Sequence, residues 1–313
     1  MGYGYWTTSD WAGYSTSHIS SKKTVSGSTG IYSSTSAKAD FDPKNIEKRE
    51  CLDSDDHPNT TPIILGLDVT GSMGPVLSNV AKKLNVLVEN ILDKKPVSDP
   101  SIMFMGIGDA NYDVYPLQVT QFESDIRIAE QLTSIYFERG GGSNDHESYN
   151  LPYFFAKNYV KADAFDKGRK GYIFTMGDEC CPETITPKQA KKVFGIDMQE
   201  EIPTEALVNA LSENWNIYHL VIEEGNFYSG RYRDHDGPKK IEESWTPVLG
   251  QNLIYVDNCE NIPEIIVSIL EADNGRDTTE ILKDWDGSTA ISVQHAFKNM
   301  TVKNSTESGL VEF

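Results

Sequence analysis

Residues 62–69, "PIILGLDV", form an apolar run that climbs to a single aspartate, Asp68. A strand of this texture has no solvent face, so both of its surfaces must be covered by other elements. The texture returns in "SIMFMGIGDA" (101–110), "GYIFTMGDE" (171–179), "NIYHLVIEE" (216–224) and "NLIYVDN" (252–258). Helical periodicity fills the intervals. Val80, Leu84, Leu87, Val88 and Ile91 fall on one helical face, and so do Ile262, Ile265, Ile266, Ile269 and Leu270. Further helices are expected over 124–137 and around Tyr149, Tyr153, Phe154 and Phe155. "TPKQAKKVFG" (186–195) carries a Thr cap, a Pro in the first turn and a closing Gly; "PTEALVNALSENW" (203–215) repeats the capping pattern.

Strands alternating with helices predict an α/β fold: a doubly wound, mostly parallel sheet with helices on both faces. "VYPLQVTQF" (114–122) alternates only weakly and follows the turn-forming "GDANYD" (108–113). It is expected as one antiparallel edge strand. Residues 1–60 are rich in Ser, Gly and Tyr and read as an arm, loosely draped or packed through its aromatic residues. The main domain spans 61–272. Residues 273–313 form a polar extension whose short apolar beads fit either a hairpin or a surface drape.

Acidic residues number 47 against 28 basic ones, a net charge of −19. That field opposes non-specific contact with nucleic acid and anionic membrane. No segment approaches the roughly 20 apolar residues of a membrane span. The N-terminal segment lacks the order of a signal peptide, and Trp6 stands where a myristoylation signal has Ser or Thr. A cytoplasmic protein is expected. Cys51, Cys180, Cys181 and Cys259 make no C-x-x-C pair, so they are read as small thiols near the core rather than as a disulfide or zinc framework.

Ligands of open α/β sheets bind beyond the carboxyl ends of the strands. Three segments bring oxygen-bearing side chains there. Asp68 is followed by Thr70 and Ser72; "GYIFTMGDE" ends in Asp178; and "GGGSNDHES" (140–148) offers Ser143, with Asn144 and Asp145 as alternative donors. Taken alone, Asp68, Thr70 and Ser72 could merely cap the next helix. Two converging carboxylates, however, repel each other unless a cation lies between them. An oxygen-only set with flanking hydroxyls suits Mg²⁺, with Mn²⁺ or Ca²⁺ as substitutes.

The segments "DVTGSM", "GGGS" and "TMGDE", in this order on alternating strands and helices, resemble the von Willebrand factor type A (vWA) family across roughly residues 61–272. The family's metal-ion-dependent adhesion site reads Asp-x-Ser-x-Ser, then a loop Thr, then an Asp after a later strand. The resemblance places Asp68 and Ser72 on the first motif, with Thr70 for its first Ser, Ser143 for the loop Thr, and Asp178 for the last Asp. The overall texture is that of intracellular bacterial or viral members.

The resemblance implies a non-enzymatic module in which the metal bridges to an acidic residue of a protein partner. An AAA+ ATPase or another assembly component is the implied partner class. Two other functions are set beside it: an assembly protein using its arm and tail, and a Mg²⁺-dependent phosphohydrolase with His146, Glu147 or His219 as base. The sequence lacks a P-loop, and no spacing fixes a base near Asp68. Asp109, Asn111 and Asp113 are expected to rim the site. The loop "EEGNFYSGRYRDHDGPKK" (223–240), with Phe227, Tyr228, Arg231 and Lys240, is either an interaction hot spot or a solvated loop.

Overall fold

The computed structural model describes residues 34–73, 76–125, 127–138, 145–231 and 236–300. Its strands in chain order are β1 (Arg49–Cys51), β2 (Thr61–Asp68), β3 (Pro100–Ile107), β4 (Leu117–Val119), β5 (Val160–Ala162), β6 (Gly171–Gly177), β7 (Thr184–Ile185), β8 (Ile202–Pro203), β9 (Trp215–Ile222) and β10 (Leu253–Val256). Six of them build the central sheet in the order β10-β9-β6-β2-β3-β4. Neighbours run parallel except at β3–β4, where Met105 lies opposite Val119 and Ile107 opposite Leu117. This is the expected doubly wound, Rossmann-like α/β sheet with an antiparallel edge. Strands β1 and β5 pair separately in parallel, and β7 and β8 form a short antiparallel ribbon.

Side chains alternate across the strands and so divide into two cores. Ile63, Leu65, Leu67, Phe104, Phe174 and Met176 join residues of the helices Val76–Lys94 and Ile262–Asp273 on one face. Ile64, Met103, Met105, Ile173 and Ile217 join the helices Asn150–Tyr159, Thr204–Leu211 and Gly237–Leu249 on the other. Each fully buried Ile, Leu or Phe contributes about 1.5–3 kcal/mol, so a sheet covered on both faces needs apolar residues at nearly every position. Central strand β2 is flanked by β3 on one side and β6 on the other. Their carboxyl ends mark the point where strand order reverses.

Two segments differ from the sequence reading or complete it. The helix expected over 124–137 is only Arg127–Leu132. The hydroxyls of Thr133 and Ser134 turn back to the Glu130 carbonyl, and Tyr136 is held by two hydrogen bonds to the Gln118 amide. Those bonds draw the chain out along the edge strand. After Asp273 the chain forms the helices Thr278–Leu282 and Gly287–Ala296 rather than a hairpin or surface drape. Their Ile281, Val293 and Ala296 extend the first core.

Within residues 34–60, Phe41, Ile46 and Cys51 are buried. Arg49 fastens this stretch to the sheet edge. Its guanidinium donates to the carbonyls of Thr120 (2.8 Å), Val119 (3.1 Å) and Asp40 (2.7 Å). Burial lowers its pKa to about 10, partly offset by Asp40. The carbonyls of an edge strand are thereby covered rather than left to pair with another chain. Arg49→Met should cost about 2–3 kcal/mol in denaturant titrations, because buried carbonyls lose their donors. A cost below about 0.5 kcal/mol, typical of an ordinary surface change, would refute this fastening role.

Among the described residues no helix is long and apolar enough to cross a membrane. All four cysteines are buried and free.

Candidate functional site

At the end of β2 the chain follows β3 for one more residue, Val69 N–H donating to the Ile107 carbonyl at 2.9 Å. It then folds over its own aspartate. The Thr70 amide (2.9 Å) and hydroxyl (2.6 Å) both donate to Asp68 Oδ1. The Thr70 and Ser72 hydroxyls lie 3.1 Å apart. Short oxygen side chains at alternate positions thus curl around the carboxylate, as Asx turns do. Asp68 Oδ2 accepts from the Tyr149 hydroxyl at 2.7 Å.

Asp178 directly follows β6. Its Oδ2 accepts from the Phe227 amide at 2.8 Å. Gly225 lies flat against this carboxyl, where any Cβ would overlap it. The Asn226 amide donates to the Ser72 carbonyl (3.1 Å), which ties the loop after β9 to the loop after β2. Asp178 Oδ1 is buried and accepts no hydrogen bond. Ser72 lies near enough to steady the charge on Asp178 and on Glu179 without a complete bond to that oxygen.

The electrostatics are those of acids crowded out of water. Burial, then the Asp178 charge, pushes Asp68 up to about 7 against its hydrogen bonds from Thr70 and Tyr149. Burial pushes Asp178 up to about 6 against the bond from the Phe227 amide and the nearby Ser72 hydroxyl. Glu179 rises to about 9 through burial and the charges of Asp68 and Asp178. Glu147 rises to about 11 through burial and the charges of Asp68, Glu179, Asp109 and Asp113. None of these four carboxylates enters an ion pair found among the described residues. Buried charges without partners call for a cation or a proton.

Asp68, Thr70, Ser72 and Asp178 therefore meet at the switch point. Ser143 and Asn144 lie outside the described residues. Asp145 is exposed, 3.3 Å from His146 Nδ1 and 3.9 Å from Lys240 Nζ. Among the described residues no group of three or more His, Cys, Asp or Glu side chains is arranged to hold a metal. The donor set is two carboxylates and two hydroxyls. The orphaned Asp178 oxygen fits a hard cation, which takes oxygen ligands and retains water.

Sequence reading missed Tyr149 in this role. It counted Tyr149 as part of an apolar helical stripe, although a phenol can bury its ring and still donate a proton. In the sequence Glu147 stands out only as a possible base, and Glu179 only as a neighbour of the Asp178 motif. Of the expected rim, Asn111 is exposed, but Asp109 and Asp113 turn inward. In loop 223–240 Phe227 is buried, and the half-buried Tyr228 donates its hydroxyl to Glu223. Tyr232, Arg233 and His235 lie outside the described residues. His219 is fully buried, stacked on Trp245 with ring centroids 3.9 Å apart and bonded to the Thr175 hydroxyl. Burial lowers its pKa to about 3, so it is neutral at physiological pH.

No protein-family model matches the chain, and no curated protein matches it. Among solved structures it is similar to the pilus adhesin SpaC from Lactobacillus rhamnosus GG in an open conformation. The TM-score is 0.45 and the identity 11%, over 72% of this chain and 30% of the adhesin. It is also similar to the conserved hypothetical protein BatB from Bacteroides thetaiotaomicron, with a TM-score of 0.40 and 14% identity over 71% of this chain and 99% of that one. The chain thus spans under a third of the adhesin's length.

Proposed function

We propose that this is a vWA-type module that holds Mg²⁺ and uses it to bind a carboxylate of a protein partner. Asp68, Thr70, Ser72 and Asp178 would hold the ion, with Ser143 supplying the loop hydroxyl; Mn²⁺ or Ca²⁺ fits the same oxygen set. The observation that carries this reading is the buried Asp178 oxygen without a partner, beside paired hydroxyls at the sheet's switch point. Bound there, the ion supplies a local positive charge with a position open to an acidic ligand. Two aspartates only balance a divalent cation, and the hydroxyls add no charge. A strongly acidic protein could in this way attract an acidic partner. The work is binding rather than turnover, and an ATP-driven assembly component is the partner class we favour. Four free thiols fit a cytoplasmic setting.

Isothermal titration with Mg²⁺ and Mn²⁺ tests the site. One equivalent should bind the wild type, and Asp68→Ala and Asp178→Ala should each abolish the heat. Partner capture in Mg²⁺ should be lost in EDTA and in both variants. Partners retained under both conditions would sink the bridge.

A further inference from the structure

A cavity of about 670 Å³ lies at the amino ends of the parallel strands. Thr61, Tyr172, Asn216 and Asn252, at or just before the first residues of β2, β6, β9 and β10, line it. Asp273 and Asn274, where the helix Ile262–Asp273 ends, close another side. The eight residues of β2 set this recess about 23 Å from Asp68, so it is separate from the candidate metal centre. Its volume falls in the range of roughly 300–1,000 Å³ that small-molecule sites occupy.

The full charges in the wall are already engaged. The Arg169 guanidinium donates to the Thr60 carbonyl (2.8 Å) and to Asp53 (3.1 Å), and Lys170 Nζ donates to the Ser212 carbonyl (2.6 Å). Asp273 accepts from the Tyr218 hydroxyl (2.7 Å). The carbonyl end of the helix also opposes an anion. What the wall offers beyond these is neutral. The Asn274 amide donates to the Tyr172 hydroxyl (3.1 Å), with the Asn216 side chain close by. Burial, then the Asp273 charge, raises this phenol to about 12, so it keeps a proton to donate. Asn252 gives one amide hydrogen to the Ile217 carbonyl (2.9 Å) and retains a second hydrogen and its own carbonyl. Val97 and Met300 add apolar contact. Tyr172 and Tyr218 are both stacked on Phe174, with centroids 6.1 and 5.4 Å apart, which fixes the two phenols before any ligand arrives.

We infer that this cavity binds a neutral, hydroxyl-rich ligand the size of about one or two sugar rings. Each sugar hydroxyl both donates and accepts, as the amides and phenols of the wall do. A charged ligand would find the opposite charges committed elsewhere. An apolar ligand would bury amides and hydroxyls unpaired, at about 1–3 kcal/mol each. The inference does not depend on the metal-bridge reading.

Saturation-transfer NMR of the full chain with glucose, mannose, galactose, N-acetylglucosamine, maltose and cellobiose tests it, followed by calorimetric titration of each sugar that responds. At least one should bind with a Kd below about 10 mM, and equally in Mg²⁺ and in EDTA. Tyr172→Phe should weaken that binding about tenfold, since the ligand loses one donor. Ser98→Trp, at an exposed position of the cavity wall, should abolish binding and leave the melting temperature unchanged. Silence from all of these sugars would overturn the proposal, and so would an affinity that neither variant alters. Inorganic phosphate bound in place of the sugars would overturn the neutral class. Sugar binding that requires Mg²⁺ would place the ligand at the metal centre and overturn this site while sparing the metal reading.

Discussion

In EDTA the protein is expected to lose stability as pH rises from about 4 to about 8, and Mg²⁺ is expected to offset part of that loss. Asp68 and Asp178 have folded-state pKa values of about 7 and about 6, above the ordinary 3.8. An acid whose pKa is raised on folding binds more protons in the native state than in the unfolded chain between those two values. Its protonated form is compatible with burial. As pH climbs through the window, the native carboxylates must ionise without water or a partner, so stability falls. Glu179, raised to about 9, and Glu147, raised to about 11, extend the decline above neutrality. The total is on the order of several kcal/mol, since one pKa unit corresponds to about 1.4 kcal/mol.

A cation acts in the opposite sense, because it binds the ionised carboxylates. At a hundredfold excess over its dissociation constant it adds about 2.7 kcal/mol, or roughly 5–10 °C in melting temperature for a domain of this size. Thermal melts at pH 5, 6, 7 and 8, with Mg²⁺ and with EDTA, make the measurement. Curves that coincide at every pH would remove the case for a metal at this site. Asp178→Ala should make the EDTA series shallower and lose the Mg²⁺ response.

Gly177→Ala should be among the most damaging single changes in the chain. A Cβ at Gly177 would overlap the hydroxyl and ring edge of Tyr149. Tyr149 cannot yield, since it is fully buried, packed edge-on to His219 with centroids 4.9 Å apart and tilted against Trp245 at 5.8 Å. Relief would require either a shift of β6 or withdrawal of the phenol from Asp68. The expected cost is about 3 kcal/mol or more in chemical denaturation. Where the variant still folds, its affinity for divalent cations should also drop, because Asp68 loses the donor that orients it. A variant as stable as wild type, with unchanged metal affinity, would show that Tyr149 does not orient Asp68.

The sheet was legible because two-sided burial imposes a near-continuous apolar texture, which runs such as residues 62–69 and 171–177 carry. The antiparallel edge was legible from the weaker alternation after "GDANYD". The helix over 124–137 was not, because its periodicity continues past the point where Thr133, Ser134 and the Gln118 amide end it. In the candidate site, Asp68, Thr70, Ser72 and Asp178 stood out because short oxygen side chains at strand ends are costly unless used. Tyr149 did not, because a buried tyrosine at helical spacing looks like core until its hydroxyl is placed.

By itself the sequence determined the layering and the strand ends, since periodicity and burial are local patterns that any fold of this chain must satisfy. Only the tertiary structure decided what those ends meet. The phenol on Asp68, the Phe227 amide on Asp178 and the Ser148 hydroxyl that braces the loop of Asp109 and Asp113 all come from segments tens of residues away. Hydrogen-bond geometry and desolvation act through space, and no spacing along the chain encodes them.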